Sequence, residues 1–167
     1  MTIPFDIAPA RPEDAGDILS MIRELAEFER LDHLLECTLG NLEEALFGPE
    51  RSIECLMGWA EEAKARVPVA YAIYFHNYST FLGKRGLYLE DLYVRPAWRH
   101  RGLARALLAQ LARIALARGC ARFEWSVLDW NTGAQDVYRR LGADVMPDWR
   151  ITRLSGPALQ QLASDDQ

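Results

Sequence analysis

Short apolar stretches in the first half of the chain predict β-strands, and in one of them successive side chains alternate between two faces. Residues 3–8 form the first such stretch, and residues 52–60 and 67–75 form the next two. The charged run at residues 61–66 separates the second stretch from the third, so we predict an antiparallel hairpin there. Residues 87–94 are apolar apart from two carboxylates, and they predict the central strand of a sheet.

Apolar residues recur every three or four positions between and after these strands, which predicts amphipathic helices. We expect helices at residues 12–30, 39–46, 101–118 and 132–141. Pro12 near the first position, followed by acidic residues, marks the start of the first helix.

The remaining segments predict a loop at residues 77–86, strands at 121–128, 143–146 and 149–154, and a short helix after Ser155. Strands interspersed with amphipathic helices predict an α/β fold, with a mixed, mostly antiparallel central sheet and helices on both faces. A chain of 167 residues is expected to form a single domain spanning residues 1–167.

Composition and charge narrow the possible functions. The net charge of −5 argues against a general nucleic-acid binder. No apolar run has the length of a signal peptide or a membrane span, so we expect a cytoplasmic protein that does not bind membranes. Cys37, Cys55 and Cys120 lie far apart without metal-ligand spacing, so we expect no metal and free thiols in a reducing cytosol.

Two adjacent carboxylates, Glu90 and Asp91, interrupt the predicted central strand. Side chains alternate along a strand, so the two groups are expected on opposite faces. A carboxylate in a buried strand is costly unless it is paired. Both a structural ion pair and a functional site remain open at this point.

A basic turn links the central strand to the helix at residues 101–118. Arg99 and Arg101 lie in this turn, and Arg105 follows one turn into the helix. The first amides of a helix have no intrahelical partner and carry partial positive charge. Gly102 allows the backbone to approach a bulky anion, and Ala104 keeps the first turn small. The segment therefore predicts an anion-binding site.

The pattern Arg99-x-x-Gly102-x-Ala104 after a strand resembles the pyrophosphate-binding motif of the GNAT superfamily of acetyl-CoA-dependent N-acetyltransferases. The resemblance implies the GNAT fold and acetyl-CoA as co-substrate. It implies that the pantetheine arm binds to backbone groups of Leu92, Tyr93 and Val94. The residues implied to hold the pyrophosphate are Arg99, His100, Arg101, Gly102, Leu103, Ala104 and Arg105.

A second segment, Asn131-x6-Tyr138-x3-Gly142, resembles the GNAT segment that completes the cofactor site. An aromatic residue on a helix face is ordinarily a core residue, but the resemblance places the Tyr138 hydroxyl near the sulfur of coenzyme A. There it would protonate the leaving thiolate. Glu90 is the candidate base for the amine. The remaining residues implied to bind the cofactor are Asn131, Thr132, Gly133 and Ala134.

The chain also resembles a narrower group, the diamine acetyltransferase family, which includes spermidine/spermine and thialysine acetyltransferases. The resemblance is carried by residues 23–29, 88–91, 127–131 and 138–143. It implies a homodimer that binds a small-molecule amine. The residues implied to line the amine site are Phe28, Glu29, Glu90, Asp91 and Trp125.

The chain departs from the polyamine enzymes on the acceptor side. Ser79, Thr80 and Phe81 stand where those enzymes carry Asp-Pro-Trp, which is nearer the thialysine branch. We therefore expect acetyl transfer to a thialysine-like or diamine-like primary amine, by direct attack in a ternary complex. A polyamine acetyltransferase, a protein acetyltransferase and a non-catalytic acyl-CoA-binding module remain as alternatives.

Overall fold

A computed structural model describes residues 5–164 of the chain. The chain divides into two compact units, Met1–Ser126 and Val127–Gln167. The first carries a sheet flanked by helices, and the second carries two helices. Each unit is described separately below.

The first unit contains every strand that the structure describes. Short 3-10 turns at Pro12–Asp14, Asp32–Leu34 and Pro96–Trp98 join some of its elements. In chain order, its strands and helices are β1 (Phe5–Pro9), α1 (Ala15–Glu29), α2 (Leu39–Phe47), β2 (Glu54–Glu62), β3 (Ala65–Ser79), β4 (Lys84–Val94), α3 (Leu103–Ala117) and β5 (Phe123–Trp125). The predicted first strand began at residue 3, and residues 3 and 4 lie outside the described residues.

The five strands form one sheet in the order β1-β2-β3-β4-β5. The first three pairings are antiparallel, and β4 pairs with β5 in parallel. The prediction of a mixed, mostly antiparallel sheet is therefore confirmed. The β2–β3 hairpin also forms where the charged turn at residues 61–66 predicted it.

Helices cover both faces of this sheet, as predicted. Helices α1 and α2 contribute to a core that includes Met57 of β2 and Tyr71 of β3. Gly58, next to Met57, faces the opposite side, where a Cβ atom on it would lie 3.5 Å from Leu103 Cδ1 of α3. The buried residues of α3 on this second face are Leu103, Leu107, Leu108, Leu111 and Ala115.

A β-bulge interrupts β4 at Glu90. Ile73 of β3 pairs with Asp91, and the next residue, Tyr74, pairs with Leu89, so Glu90 has no partner on β3. Ile73 belongs to the α1/α2 core, which places Asp91 on that face of the sheet. The alternation that predicted opposite faces for the two carboxylates does not apply, because a bulge shifts the side-chain phase.

The strands predicted at residues 143–146 and 149–154 are absent. These residues lie in the second unit, which contains α4 (Thr132–Arg140) and α5 (Gly156–Ser164), and residues 143–154 have no regular structure. Apolar side chains such as Trp149 and Ile151 are exposed there. A strand requires a hydrogen-bonding partner, and no described strand pairs with this segment.

Two predicted boundaries around β4 and β5 were also wrong. The loop predicted at residues 77–86 is mostly strand, because β3 and β4 remain paired up to Ser79 and Lys84. Cross-strand pairing therefore outweighs the polar composition of that segment. The strand predicted at residues 121–128 is reduced to Phe123–Trp125, the three residues that pair with β4.

Candidate active site

The carboxylates of the site gather where β4 bulges. Asp91 is half-buried, and the Tyr71 hydroxyl donates to its Oδ2 at 3.3 Å. The pKa of Asp91 is raised to about 6, first by burial and then by the negative charges of Glu90 and Glu29, while the Tyr71 hydrogen bond opposes the rise. Asp91 is therefore largely charged at neutral pH and can accept a proton near that pH.

The end of α1 brings Glu29 toward this carboxylate pair. Helix α1 stops where Arg30 adopts the left-handed conformation, with φ of 60°. Glu29 is half-buried, and burial raises its pKa. Phe28 lies beside it, with its ring centroid 4.7 Å from the guanidinium carbon of Arg99. The last turn of α1 therefore meets the segment that follows β4.

Glu29, Glu90 and Asp91 share one electrostatic property. None of them forms an ion pair with a basic residue within residues 5–164. Glu24 of the same helix, by contrast, pairs with Arg95 at 2.8 Å. The three carboxylates therefore provide uncompensated negative charge for a cationic ligand.

The N-terminus of α3 offers the opposite charge. Gly102 caps the helix with φ of 86°, and no side chain hydrogen-bonds to the cap. A Cβ atom on Gly102 would meet no atom within 4 Å, so the space over the first amides is open. Leu103 is buried, and Arg101 and Arg105 are exposed around the same point. The positive end of the helix can therefore receive a bulky anion, and it fits a diphosphate.

Arg99 ties this turn to the acidic end of the site. Its Nε donates to the Val94 carbonyl at 2.9 Å. Its guanidinium carbon also lies 5.6 Å from the Tyr93 ring centroid, in addition to the contact with Phe28. His100, the next residue, has φ of 60° and continues the tight turn. Stacked in this way, Arg99 links the end of β4 to the end of α1.

The second edge of β4 is open beyond the bulge. Leu92, Tyr93 and Val94 pair with β3 on one side. On the other side β5 pairs with β4 only from Leu87 to Leu89. Backbone groups of residues 92–94 that point away from β3 therefore have no described strand partner. Apart from the Val94 carbonyl, which accepts from Arg99, they can bind a ligand. Trp125 ends β5, opposite Leu89.

In the second unit, Asn131 caps α4, as predicted. Its side-chain oxygen accepts from the Ala134 amide at 3.2 Å. Tyr138 lies two turns further along α4 and is half-buried, and Thr132 and Gly133 are exposed in the first turn.

Two contributing residues were not singled out from the sequence. Tyr71 falls within the strand predicted at residues 67–75 and was given no role there, although a buried tyrosine hydroxyl is a signal that a partner is needed. Gln135 is buried, and its amide donates to the Leu128 and Asp129 carbonyls, which holds the turn before Asn131.

Other predicted features can be located without adding to the site. Cys37, Cys55 and Cys120 are free thiols, and burial raises the pKa of Cys55. Within residues 5–164, no group of three or more His, Cys, Asp or Glu side chains is placed to hold a metal ion. No helix in that range is long and apolar enough to cross a membrane.

The chain is similar to known acetyltransferases in sequence and in structure. Residues 19–143 match the acetyltransferase (GNAT) family. The chain is 39% identical to a thialysine N-epsilon-acetyltransferase of Mus musculus, over 94% of this chain and 96% of the relative. It is 30% identical to an L-ornithine N5-acetyltransferase of Arabidopsis thaliana, over 92% of this chain and 85% of the relative.

Among solved structures, an integron cassette protein from the mobile metagenome of V. cholerae shares the fold. Its TM-score is 0.77 at 21% identity, with 98% of this chain and 99% of that chain covered. An acidic site beside a helix N-terminus without a side-chain cap agrees with these matches. The family match and the sequence relatives show that the chain belongs to the GNAT family and is an N-acetyltransferase.

Proposed function

We propose that this N-acetyltransferase transfers the acetyl group of acetyl-CoA to the primary amine of a small, amino-acid-like molecule such as thialysine. The observation that carries the proposal is the group formed by Glu29, Glu90 and Asp91, which no described basic residue compensates. The relatives that are named for thialysine and L-ornithine support an amino-acid-like acceptor.

Acetyl-CoA fits the positive end of α3. The open helix start at Gly102, which has no side-chain cap, suits its diphosphate, with Arg99, His100, Arg101, Leu103, Ala104 and Arg105 around it. The free edge of β4 suits the amide groups of the pantetheine arm. When bound, acetyl-CoA supplies the activated acetyl thioester. In the second unit, Asn131, Thr132, Gly133 and Ala134 are assigned to the same ligand by their match to the family motif.

The chain's own residues supply binding and proton transfer. Asp91 and Glu29 hold the substrate ammonium, and Phe28 and Trp125 provide apolar contacts. Glu90 takes the proton that the amine must lose before it attacks directly, in a ternary complex. Tyr138 donates a proton to the departing sulfur. Amides at the open edge of β4 donate to the oxygen that becomes negative during attack.

The turn between β3 and β4 favours a short acceptor over a polyamine. Ser79 is buried, and its hydroxyl accepts from the Leu82 amide at 3.2 Å, so it stabilises the turn. Residues 79–83 contain no carboxylate. A long polycation requires anionic contacts along its length, whereas the three carboxylates at the bulge are sufficient for one ammonium.

We also propose that residues 1–167 act as a single catalytic domain and that the protein is a cytoplasmic homodimer. End-to-end alignment with the relative from Mus musculus supports the single domain. The exposed apolar side chains of Val145, Met146, Trp149 and Ile151 support a subunit interface. Sedimentation equilibrium tests the dimer, and a monomer at micromolar concentration would contradict it.

A side-by-side kinetic panel tests the substrate. Purified protein is assayed with acetyl-CoA and thialysine, lysine, ornithine, spermidine or spermine at fixed ionic strength. We expect kcat/KM to be higher for the three amino acids, by about tenfold or 1.4 kcal/mol, because the loss of one ionic contact near the surface has a modest cost. A clear preference for spermine would place the protein with the polyamine enzymes.

A further inference from the structure

Tyr71 is buried in the core but its hydroxyl reaches the candidate active site. The residue lies in the middle of β3 and has no exposed surface. Its ring packs among the side chains of α1, α2 and the sheet, with the Tyr93 ring centroid 6.4 Å away. Phenylalanine would fill the same space without introducing a buried hydroxyl. The hydroxyl must therefore be explained by its partner, because an unpaired polar group in a core is costly.

That partner is the carboxylate placed by the bulge. The Tyr71 hydroxyl donates to Asp91 Oδ2 at 3.3 Å. Burial raises the pKa of Tyr71 well above its ordinary value, so the hydroxyl remains a donor throughout the working pH range. A carboxylate has two oxygens and about four lone-pair positions, so this bond leaves acceptor capacity for an ammonium.

The other ionisable groups around Asp91 act against its charge. Glu90 on the same strand and Glu29 on α1 both raise the pKa of Asp91, in addition to burial. Cys55 of β2 and Cys37 after α1 also lie within its field, and Asp91 raises the pKa of both thiols. Arg23 acts on Cys37 but is not among the groups that shift Asp91. The Tyr71 hydroxyl is thus the group that favours the charged form of Asp91.

We propose that Tyr71 is a positioning residue of the transfer reaction, which holds the Asp91 carboxylate charged and oriented toward the substrate amine. The inference rests on the proposed function, since it assigns Asp91 to the amine site. It extends that function to a side chain in the core, with no exposed surface of its own. Tyr71 acts only through Asp91, so its effect must disappear when Asp91 cannot ionise.

The test is the pH dependence of kcat/KM for Tyr71→Phe. Removing the hydroxyl removes a hydrogen bond that favours the charged form of Asp91, so the pKa of Asp91 rises. The acid limb of the profile, where kcat/KM falls as the pH is lowered, therefore moves to higher pH. We expect a shift of about one pH unit, the order of effect of one charged hydrogen bond partly replaced by water. Relative to the parent, kcat/KM then falls about fivefold at pH 6 and changes little at pH 8.5. The protonation of the substrate amine is the same in both assays at a given pH, so it cancels in the ratio of variant to parent kcat/KM.

Tyr74→Phe is the matched control. Tyr74 lies on the same strand, is buried to a similar extent, and donates to a different carboxylate, Glu54, at 3.2 Å. Both variants lose one buried hydroxyl, so both are expected to lose some thermal stability, but only Tyr71→Phe should move the acid limb. An unmoved limb in Tyr71→Phe, or a loss that is equal at every pH, would overturn the inference.

Asp91→Asn provides the second variant. It should abolish the acid limb near pH 6, and in this background Tyr71→Phe should cause no further change in the profile. This arm also covers the case in which Tyr71→Phe alone folds poorly. Persistence of the limb in Asp91→Asn would show that another group titrates, and the inference would then be wrong.

A readout without turnover separates the inference from the proposed function. If the parent protein acetylates none of the amines, the proposed function fails. The carboxyl carbon of Asp91 can then be titrated by carbon-13 NMR, with Asp91→Asn as the assignment control. A higher midpoint in Tyr71→Phe than in the parent supports the inference, and equal midpoints overturn it.

Discussion

At the scale of single residues, the site depends on two adjacent carboxylates in different environments. Asp91 is half-buried and hydrogen-bonded, and its pKa is raised. Glu90 is exposed and has no partner residue on β3. Glu90 remains our candidate base, because an exposed carboxylate can exchange its proton with solvent between turnovers. Asp91, with its buried neighbour Tyr71, is better suited to hold a cation in place.

Glu90→Gln tests this division of roles. The variant keeps the shape of the side chain and removes the base, so kcat should fall by about 10²-fold or more. The negative charge of Glu90 also raises the pKa of Asp91, so its removal should move the remaining acid limb to lower pH. Full pH profiles measure both effects. If rate and profile match the parent, the proton leaves by another path, and Asp91 becomes the candidate base.

Tyr138→Phe tests the proposed acid. One hydroxyl is lost with little change in volume on a half-buried position of α4. If the hydroxyl protonates the leaving sulfur, kcat should fall by about 10²-fold, while acetyl-CoA affinity in calorimetry stays close to the parent value. Near-normal turnover would assign Tyr138 to packing alone.

At the scale of the elements, α3 supplies a local and separable part of the site. Gly102 and Gly119 flank the helix, both have positive φ, and both have open space where a Cβ atom would lie. The two ends therefore share a backbone requirement but differ in charge, since only the N-terminal end attracts anions.

Gly102→Glu should abolish acetyl-CoA binding. It places negative charge and bulk where the diphosphate is proposed to lie, and it adds about 1–2 kcal/mol of left-handed strain. Gly119→Glu adds the same side chain and similar strain at the other end of α3, so it controls for lost stability. Calorimetry should show at least tenfold weaker binding only for Gly102→Glu. Equal affinities in the two variants would remove the basis of the assigned diphosphate site.

Helix starts were predictable from the sequence because their determinants are local. Gly102 and Asn131 each act within a few residues, one through its left-handed conformation and one as a side-chain cap. The bulge at Glu90 and the Tyr71–Asp91 contact were not predictable, because they depend on the exact register between β3 and β4, which no single residue near Glu90 determines.

At the scale of the whole molecule, pairing explains where the prediction failed. Residues 143–154 have strand-like composition, but no described strand accepts them, so their apolar side chains remain exposed. The same rule extended β3 and β4 into a segment predicted to be a loop, because each found a partner there. Composition determined which segments could become strands, and the availability of a neighbour determined which of them did.

The bulge in β4 also affects tolerance to insertion and deletion. Before the bulge, Leu89 faces the α3 side of the sheet, together with Tyr74, whose ring lies under Arg118 at the end of α3. After the bulge, Asp91 faces the α1/α2 core, together with Ile73. Deleting Glu90 would make Leu89, opposite Tyr74, and Asp91, opposite Ile73, direct neighbours in a regular ladder. Asp91 would then still face the α1/α2 core, and only Glu90, the candidate base, would be lost. One codon thus separates a regular strand that carries one carboxylate at this point from a bulged strand that carries two. Homologous chains that gain or lose a residue at this point should change chemistry before they lose their fold.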